Sequence, residues 1–526
     1  MPWWAGAVIY QVYIRSFADG NGDGFGDFAG LIRRLDYIAS LGVDAIWLSP
    51  IHPSPNRDWG YDVSDYEGVH PDYGTMADFQ ALLAAAHARG LKILLDEVLA
   101  HTSDEHAWFA ASRDGDAARK DWYVWADTKD DGTVPNNWLS VFGGPAWSYQ
   151  PARRQYYHHK FLRQQPKLNW REPGAREAAL SVLDRWLARG VDGFRLDVAN
   201  AFLHDAALTD NPPIPAAARG AVEWAAAANM QRHLHDSNLA ENCAVLDAIR
   251  RRVETAGPDR FVFGEFAEEF ELSGCYLSPD AGLHAGYNFA LLVAEDTGAI
   301  RHHLETLARF PGHWPCIAFS NHDVIRTVSR FGEGSAKVML ALLLALRGTV
   351  LLYQGEELGL PEARIARAAM RDPVGDLYYP LFRGRDGCRT PMPWDAEGPH
   401  LGFGGPPWLP MPESHRPLAV SAQERDPDSI LAYARRLVAA RKAYPALARG
   451  SQKLIAGPGV GFLREADGAR ILCLFNPSPR EIAFELADEL PGDLAGARAF
   501  DFGTGEARAD GSAVTLGPHA AWFGEL

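Results

Sequence analysis

Four apolar runs, LLDEVLAH, GFRLDVAN, FVFGEF and AFSNHD, each close on charged or titratable groups. They supply Asp96 and His101, Arg195 and Asp197, Glu265, and His322 with Asp323. Burying one such acid costs several kcal/mol unless it is paired. A private ion pair accounts for any one of them, but not for acids recurring at the ends of successive runs. Clustered carboxylates without a cofactor motif suit glycosidic-bond hydrolysis. An ionised acid attacks the anomeric carbon, a protonated one delivers its proton to the leaving oxygen, and a third stabilises the cation-like transition state. Arg195 and Asp197 stand two residues apart, so on a strand they share a face and the guanidinium favours the ionised carboxylate. Asp96 is expected to support this site rather than act in it.

A second constellation is DGNGDGFGD. Asp19, Asn21, Asp23 and Asp27, with the carbonyl of Phe25, offer one hard cation a shell of oxygens. The loop is no EF-hand, because Gly30 stands where the closing Glu belongs. A plain Gly/Asp surface turn is the competing reading.

Elements must hold these groups in place. Apolar runs at 7–13, 45–50, 92–98, 193–198, 261–266, 316–323 and 349–354 alternate with helix-like segments such as 76–90. Continuously apolar runs suit strands buried on both faces, and sustained alternation with helices suits a parallel β/α barrel. An eighth strand is expected near 287–293. Residues 106–174, rich in Trp, Tyr, Asp and Pro and without helical periodicity, read as a loop-rich insertion after the third strand. Beyond a helix expected at 429–447, short alternating runs with Gly and Pro turns predict an antiparallel β-sandwich. The chain of 526 residues thus divides into a barrel, 1–104 and 175–448, an inserted domain, 105–174, and a C-terminal domain, 449–526.

The formal charge of −16 disfavours nucleic-acid and membrane-surface partners. VMLALLLALRGTVLLY, broken by Arg347 and Gly348, is too short for a membrane span. No signal-peptide pattern opens the chain, so a soluble, cytoplasmic protein is expected. Cys243, Cys275, Cys316, Cys388 and Cys473 form no CxxC pair and read as reduced thiols.

The motifs AIWLSPIHPSP, GYDVSDY, DEVLAHTSDEH, GFRLDVAN, FGEF, SNHD, YQGEELG and GRDGCRTPMPW occur in the order that resembles the α-amylase family, glycoside hydrolase family 13. They are most similar to its α-glucosidase and oligo-1,6-glucosidase branch, over essentially the whole chain. The resemblance implies a retaining exo-α-glucosidase that releases glucose from the non-reducing end of short α-glucosides. It implies Asp197 as nucleophile, Glu265 as acid/base and Asp323 as transition-state stabiliser with His322 beside it. It places His101 and Asp62 on the non-reducing glucose, Tyr61 on its face and Phe161 in the same subsite, with Arg389 pairing Asp62 to close the pocket. It also implies a structural calcium or magnesium at the Asp19–Asp27 loop and no organic cofactor. Two other readings are a glucosyl-transferring or sucrose-acting relative and, more remotely, an inactive binding subunit, which the retained acids count against. Three positions depart from the pattern. Ala100 replaces an Asn that ligates calcium in α-amylases, Lys167 replaces the Asp of QPDLN, and Val198 after the nucleophile leans towards α-1,6 linkages.

Overall fold

In the computed structural model, residues 1–215, 227–266, 274–277, 281–487, 489–490, 494, 497–510 and 512–526 are described. Eight parallel strands form one sheet: β1 (Val8–Val12), β2 (Ala45–Leu48), β3 (Lys92–Glu97), β4 (Gly193–Leu196), β5 (Phe261–Phe266), β6 (Ala285–Asn288), β7 (Cys316–Ile317) and β8 (Thr349–Tyr353). The order is β7-β8-β1-β2-β3-β4-β5-β6, and a parallel bridge from Gly286 to Pro315 joins its two ends. The sheet is thus a nearly closed barrel. The eighth strand, β6, begins ahead of the expected 287–293 and ends at Asn288.

The strands read as continuous apolar runs because both faces are covered. One parity, Ile9, Trp47, Leu94, Phe261, Phe263, Ala285 and Leu351, fills the barrel interior. The other, including Val8, Ile46, Ile93 and Leu95, packs in the outer cluster that also takes in helix residues such as Phe79 and Leu82. Alternation along a strand has period two, so the inward rows continue at the C-terminal ends into Gln11, Asp96, Arg195, Asp197, Glu265 and Tyr287. The inward rows that are apolar lower in the barrel turn charged at its mouth. Gly193 at the start of β4 is needed for close approach, since a Cβ there would meet the Phe261 carbonyl oxygen at 1.9 Å.

The helix Met76–His87 begins at a capping box between Thr75 and Asp78, which satisfies two otherwise orphaned donors. The expected 429–447 helix is two, Ile430–Ala443 and Pro445–Arg449, because Pro445 restricts Tyr444 before it. Between β3 and β4 the chain forms the helix Ala107–Arg113 and an antiparallel sheet of Trp125–Ala126, Gln155–His158 and Trp147–Gln150. That helix is an addition to the loop-rich insertion expected from sequence. At the C-terminus a five-stranded and a three-stranded antiparallel sheet enclose a core of Leu463, Leu472, Leu474, Phe484, Val514 and Leu516.

Cys243, at the start of the helix Asn242–Glu254, forms a disulfide with Cys275 in the turn Gly274–Leu277, with Cα atoms 6.2 Å apart. This corrects the expectation of five reduced thiols. Cysteines 32 residues apart carry no motif spacing, and only tertiary packing brings them within bridging range. Cys316, Cys388 and Cys473 are free and buried. Among the described residues no helix is long and apolar enough to cross a membrane.

Candidate active site

The inward rows converge on a single guanidinium. Arg195 Nη1 donates to Asp96 Oδ1 and to Asp197 Oδ1, each at 2.7 Å. Its Nη2 lies 2.6 Å from Glu265 Oε1 and 3.2 Å from the Tyr287 hydroxyl. Arg195, Asp96, Asp197 and Glu265 are all buried. One positive charge cannot neutralise three carboxylates. Burial raises both Asp197 and Glu265, to about 7, against the pull of Arg195 and with the help of neighbouring acids. The pair therefore keeps a proton near neutrality, the condition under which one acid attacks and the other donates.

Asp323 differs. Burial alone would raise its carboxyl, but the guanidiniums of Arg385 and Arg389 outweigh it and hold it low. Arg389 Nη2 and Arg385 Nη1 reach Asp323 Oδ1 at 2.9 and 3.1 Å. Burial holds His101 down at about 4 and His322 at about 3, so both rings are neutral.

Asp197, Glu265 and Asp323 line a cavity of about 400 Å³ together with Tyr61, His101 and Phe161. Tyr61 is stacked on His322, with ring centroids 5.2 Å apart, and its hydroxyl bonds Asp96 Oδ2 at 3.0 Å and His322 Nε2 at 2.5 Å. Phe161 lies against His101 and Phe142. Arg195, His322, Asp62 and Arg389 lie behind this wall.

The expected Asp62–Arg389 pair is corrected. Asp62 accepts from Ser54 Oγ at 2.8 Å and from the amides of Arg57 and Asp58, each at 2.9 Å. Arg389 instead pins the Asp323 turn, donating from Nε to the His322 carbonyl at 2.7 Å. The pair at the cavity wall is Asp58 with Arg385, at 2.7 Å, and Asp372 fixes the same guanidinium at 2.7 Å. Asp58 stands four residues before Asp62, just ahead of GYDVSDY, and Arg385 four before Arg389 within GRDGCRTPMPW; the turn that Asp62 closes aims Asp58 at the cavity. Sequence reasoning also missed Lys160, Gln165, Asn229 and His233 in the lining. Gln165 Nε2 donates to Asp58 Oδ2 at 3.0 Å. Lys160 and His233 share the buried Asp236, at 3.1 and 2.9 Å. Lys160, Gln165 and His233 lie on loops and Asn229 in the short turn Ala227–Met230, and none of these segments carries a periodic signal.

The Asp19–Asp27 loop is shaped by its own amides. Asp19 accepts from the backbone of Asn21, Gly22, Gly24 and Gly405. Asp27 caps the following helix through Gly30 N at 2.6 Å and accepts from Gly20 N. Asn21 donates to Asp23, which also accepts from Phe25 N. Among the described residues no three His, Cys, Asp or Glu side chains converge as a metal cluster. The donor chemistry suits a hard cation, whereas this arrangement spends Asp19 and Asp27 on amides.

Residues 11–450 match the family model for the α-amylase catalytic domain, more than half of the chain. The chain belongs to the α-amylase family. Within it the chain is 48% identical over 503 residues to a probable α-glucosidase of Rhizobium meliloti, covering 92% of this chain and 91% of that protein. It is 36% identical over 524 residues to an oligo-1,6-glucosidase of Halalkalibacterium halodurans, covering 93% and 92%. The crystal structure of an α-glucosyl transfer enzyme, XgtA, superposes with a TM-score of 0.95 at 44% identity, covering 100% of this chain and 99% of the other. The chain is therefore a family 13 glycoside hydrolase of the α-glucosidase and oligo-1,6-glucosidase group.

Proposed function

We propose that this α-amylase-family enzyme is a retaining exo-α-glucosidase that releases glucose from the non-reducing end of short α-glucosides. The observation that carries the reading is one buried guanidinium holding Asp197 and Glu265 at 2.7 and 2.6 Å beside a cavity walled by the Asp58–Arg385 pair. A carboxylate pair positioned by one group suits attack and protonation at the two ends of a single bond. Asp197 forms the bond to the anomeric carbon, while the proton of Glu265 passes to the departing glycosidic oxygen. Water then gives its proton to Glu265 and its oxygen to the anomeric carbon, which frees Asp197. Asp323, kept ionised by the two arginines, offsets the positive charge that develops on the sugar ring. The end where Asp58 and Arg385 meet Gln165 and His101 is linked by hydrogen bonds, which suits one terminal glucose rather than a running glucan.

Transfer to an acceptor is a second reading. It is supported by the similarity to a protein described as an α-glucosyl transfer enzyme and by the apolar wall of Val141, Phe142, Phe289, Val374 and Phe382. An apolar wall retains an organic acceptor and does little to hold water. The test is product analysis on maltose, isomaltose, sucrose and trehalose. The exo-hydrolytic reading expects glucose from at least one of the four, with transfer products growing at high acceptor concentration. Cleavage of long glucans internally, with no terminal glucose, contradicts it.

A cation at the Asp19–Asp27 loop is a separate proposal. It is supported by four oxygen-bearing side chains within nine residues and a nearby carbonyl at Phe25, and no step of the reaction passes through it.

A further inference from the structure

Val198 follows Asp197 and lies at φ 45°, ψ 48°. A β-branched side chain in the left-handed region is strained, and such a conformation persists only where its surroundings over-determine it. The surroundings here are specific. Val198 leads into a buried turn, Ala199–Ala201, whose three successive carbonyls are each taken from a different direction. Asn242 Nδ2 donates to the Ala199 carbonyl at 2.7 Å. The Asn238 amide donates to that of Asn200 at 2.9 Å. Lys167 Nζ donates to that of Ala201. On the other side Asp197 N is held by the Glu97 carbonyl at 3.1 Å, and Val198 N faces Glu265 Oε2 at 3.4 Å.

Lys167 is the unusual member. It is 2% exposed, and burial drives its amine down, to about 7, so its placement is costly to the fold. Lys160, Asp236, His158 and His204 are its electrostatic neighbours. Its backbone is fixed in the inserted domain: Lys167 N donates to the His158 carbonyl at 2.9 Å, and the Lys167 carbonyl accepts from Val124 N at 3.2 Å. The amine therefore carries the position of the inserted domain onto the turn beside Asp197. Asn242, 0% exposed and at the start of its helix, grips the same turn from the barrel side.

We propose that Lys167 and Asn242 are positioning residues that clamp the 199–201 turn, hold Val198 in its left-handed conformation and so set Asp197 against Glu265. This rests on Asp197 being the nucleophile. The experiment is a double-mutant cycle on an activated aryl α-glucoside. Lys167→Met is expected to lower kcat by about 10- to 100-fold with KM within about 3-fold, because the misplaced group acts in bond formation and not in glucose binding. Val198→Gly adopts the left-handed conformation without strain. In that background Lys167→Met should cost less than about 3-fold, a strong non-additivity. Asn242→Ala, which leaves the inserted domain untouched, is to be measured in the same cycle and should show the same suppression. It decides the matter if Lys167→Met does not fold. Additive effects of Val198→Gly with whichever anchor variant folds overturn the proposal, as does a loss confined to thermal stability or to KM. Trapping the wild-type enzyme with a slow fluorinated glucosyl donor separates the two levels. A label on a residue other than Asp197 removes the nucleophile assignment, whereas a label on Asp197 with additive variants removes only the clamp.

Discussion

Glu265 and Asp197 share a guanidinium, and burial raises both carboxyls to about 7. The signs are opposite in consequence. Activity needs Asp197 ionised, so it falls as pH drops and the pair gains a second proton. It needs Glu265 protonated, so it falls as pH rises and the last proton leaves. Glu265→Gln should therefore abolish the alkaline limb of the kcat/KM profile and leave the acidic one. It should slow maltose by several orders of magnitude and an activated aryl glucoside far less, since a good leaving group needs little proton assistance. An intact alkaline limb, or equal losses on both substrates, removes Glu265 from the role. At this scale the sequence was most informative where parity governs. Arg195 and Asp197, or Phe261, Phe263 and Glu265, share a face by their spacing alone. It was least informative where two like residues compete within one loop. Asp58 and Asp62, or Arg385 and Arg389, stand four apart, and nothing local says which of each reaches the cavity.

At the scale of the element, the loop after β2 illustrates how a turn makes a site. Asp62 is consumed by Ser54 and two amides and so holds Asp58 towards Arg385. Removing Asp58 takes away a buried charged contact at the cavity wall and leaves Arg385 short of a partner. Asp58→Asn is expected to lower kcat/KM by about 10²-fold. Asp62→Asn keeps an acceptor for the turn and should cost less than about 10-fold. Steady-state kinetics on one substrate checks both, and a larger loss for Asp62→Asn would reverse the correction. The barrel strands were legible because runs buried on both faces contain few polar residues. The eighth was placed too far along because AGYN offers four residues, one a glycine, and the apolar run FALLVA that follows it draws the reading downstream. The helix Ala107–Arg113 hid among aromatics and loop residues that suit either state.

The whole molecule joins a barrel, an inserted sheet and a C-terminal sandwich, an arrangement legible from strand–helix alternation and its interruption. The Cys243–Cys275 link was not, because it depends on how a helix and a turn meet in space. The cation proposal also belongs to this scale. A cation bound only by the folded loop stabilises the fold by mass action. Chelation should then lower the melting temperature while kcat at low temperature stays unchanged. An unchanged melting temperature means that the loop is closed by its own hydrogen bonds alone. The central claim is retention through Asp197, and the anomeric form of the first product tests it most directly. Attack by Asp197 followed by attack of water inverts the anomeric carbon twice. Proton NMR during the first minutes of hydrolysis of an α-glucoside should show α-glucose appearing before mutarotation builds up the β-anomer. β-Glucose appearing first would contradict the account, because it requires water, not Asp197, to attack the anomeric carbon.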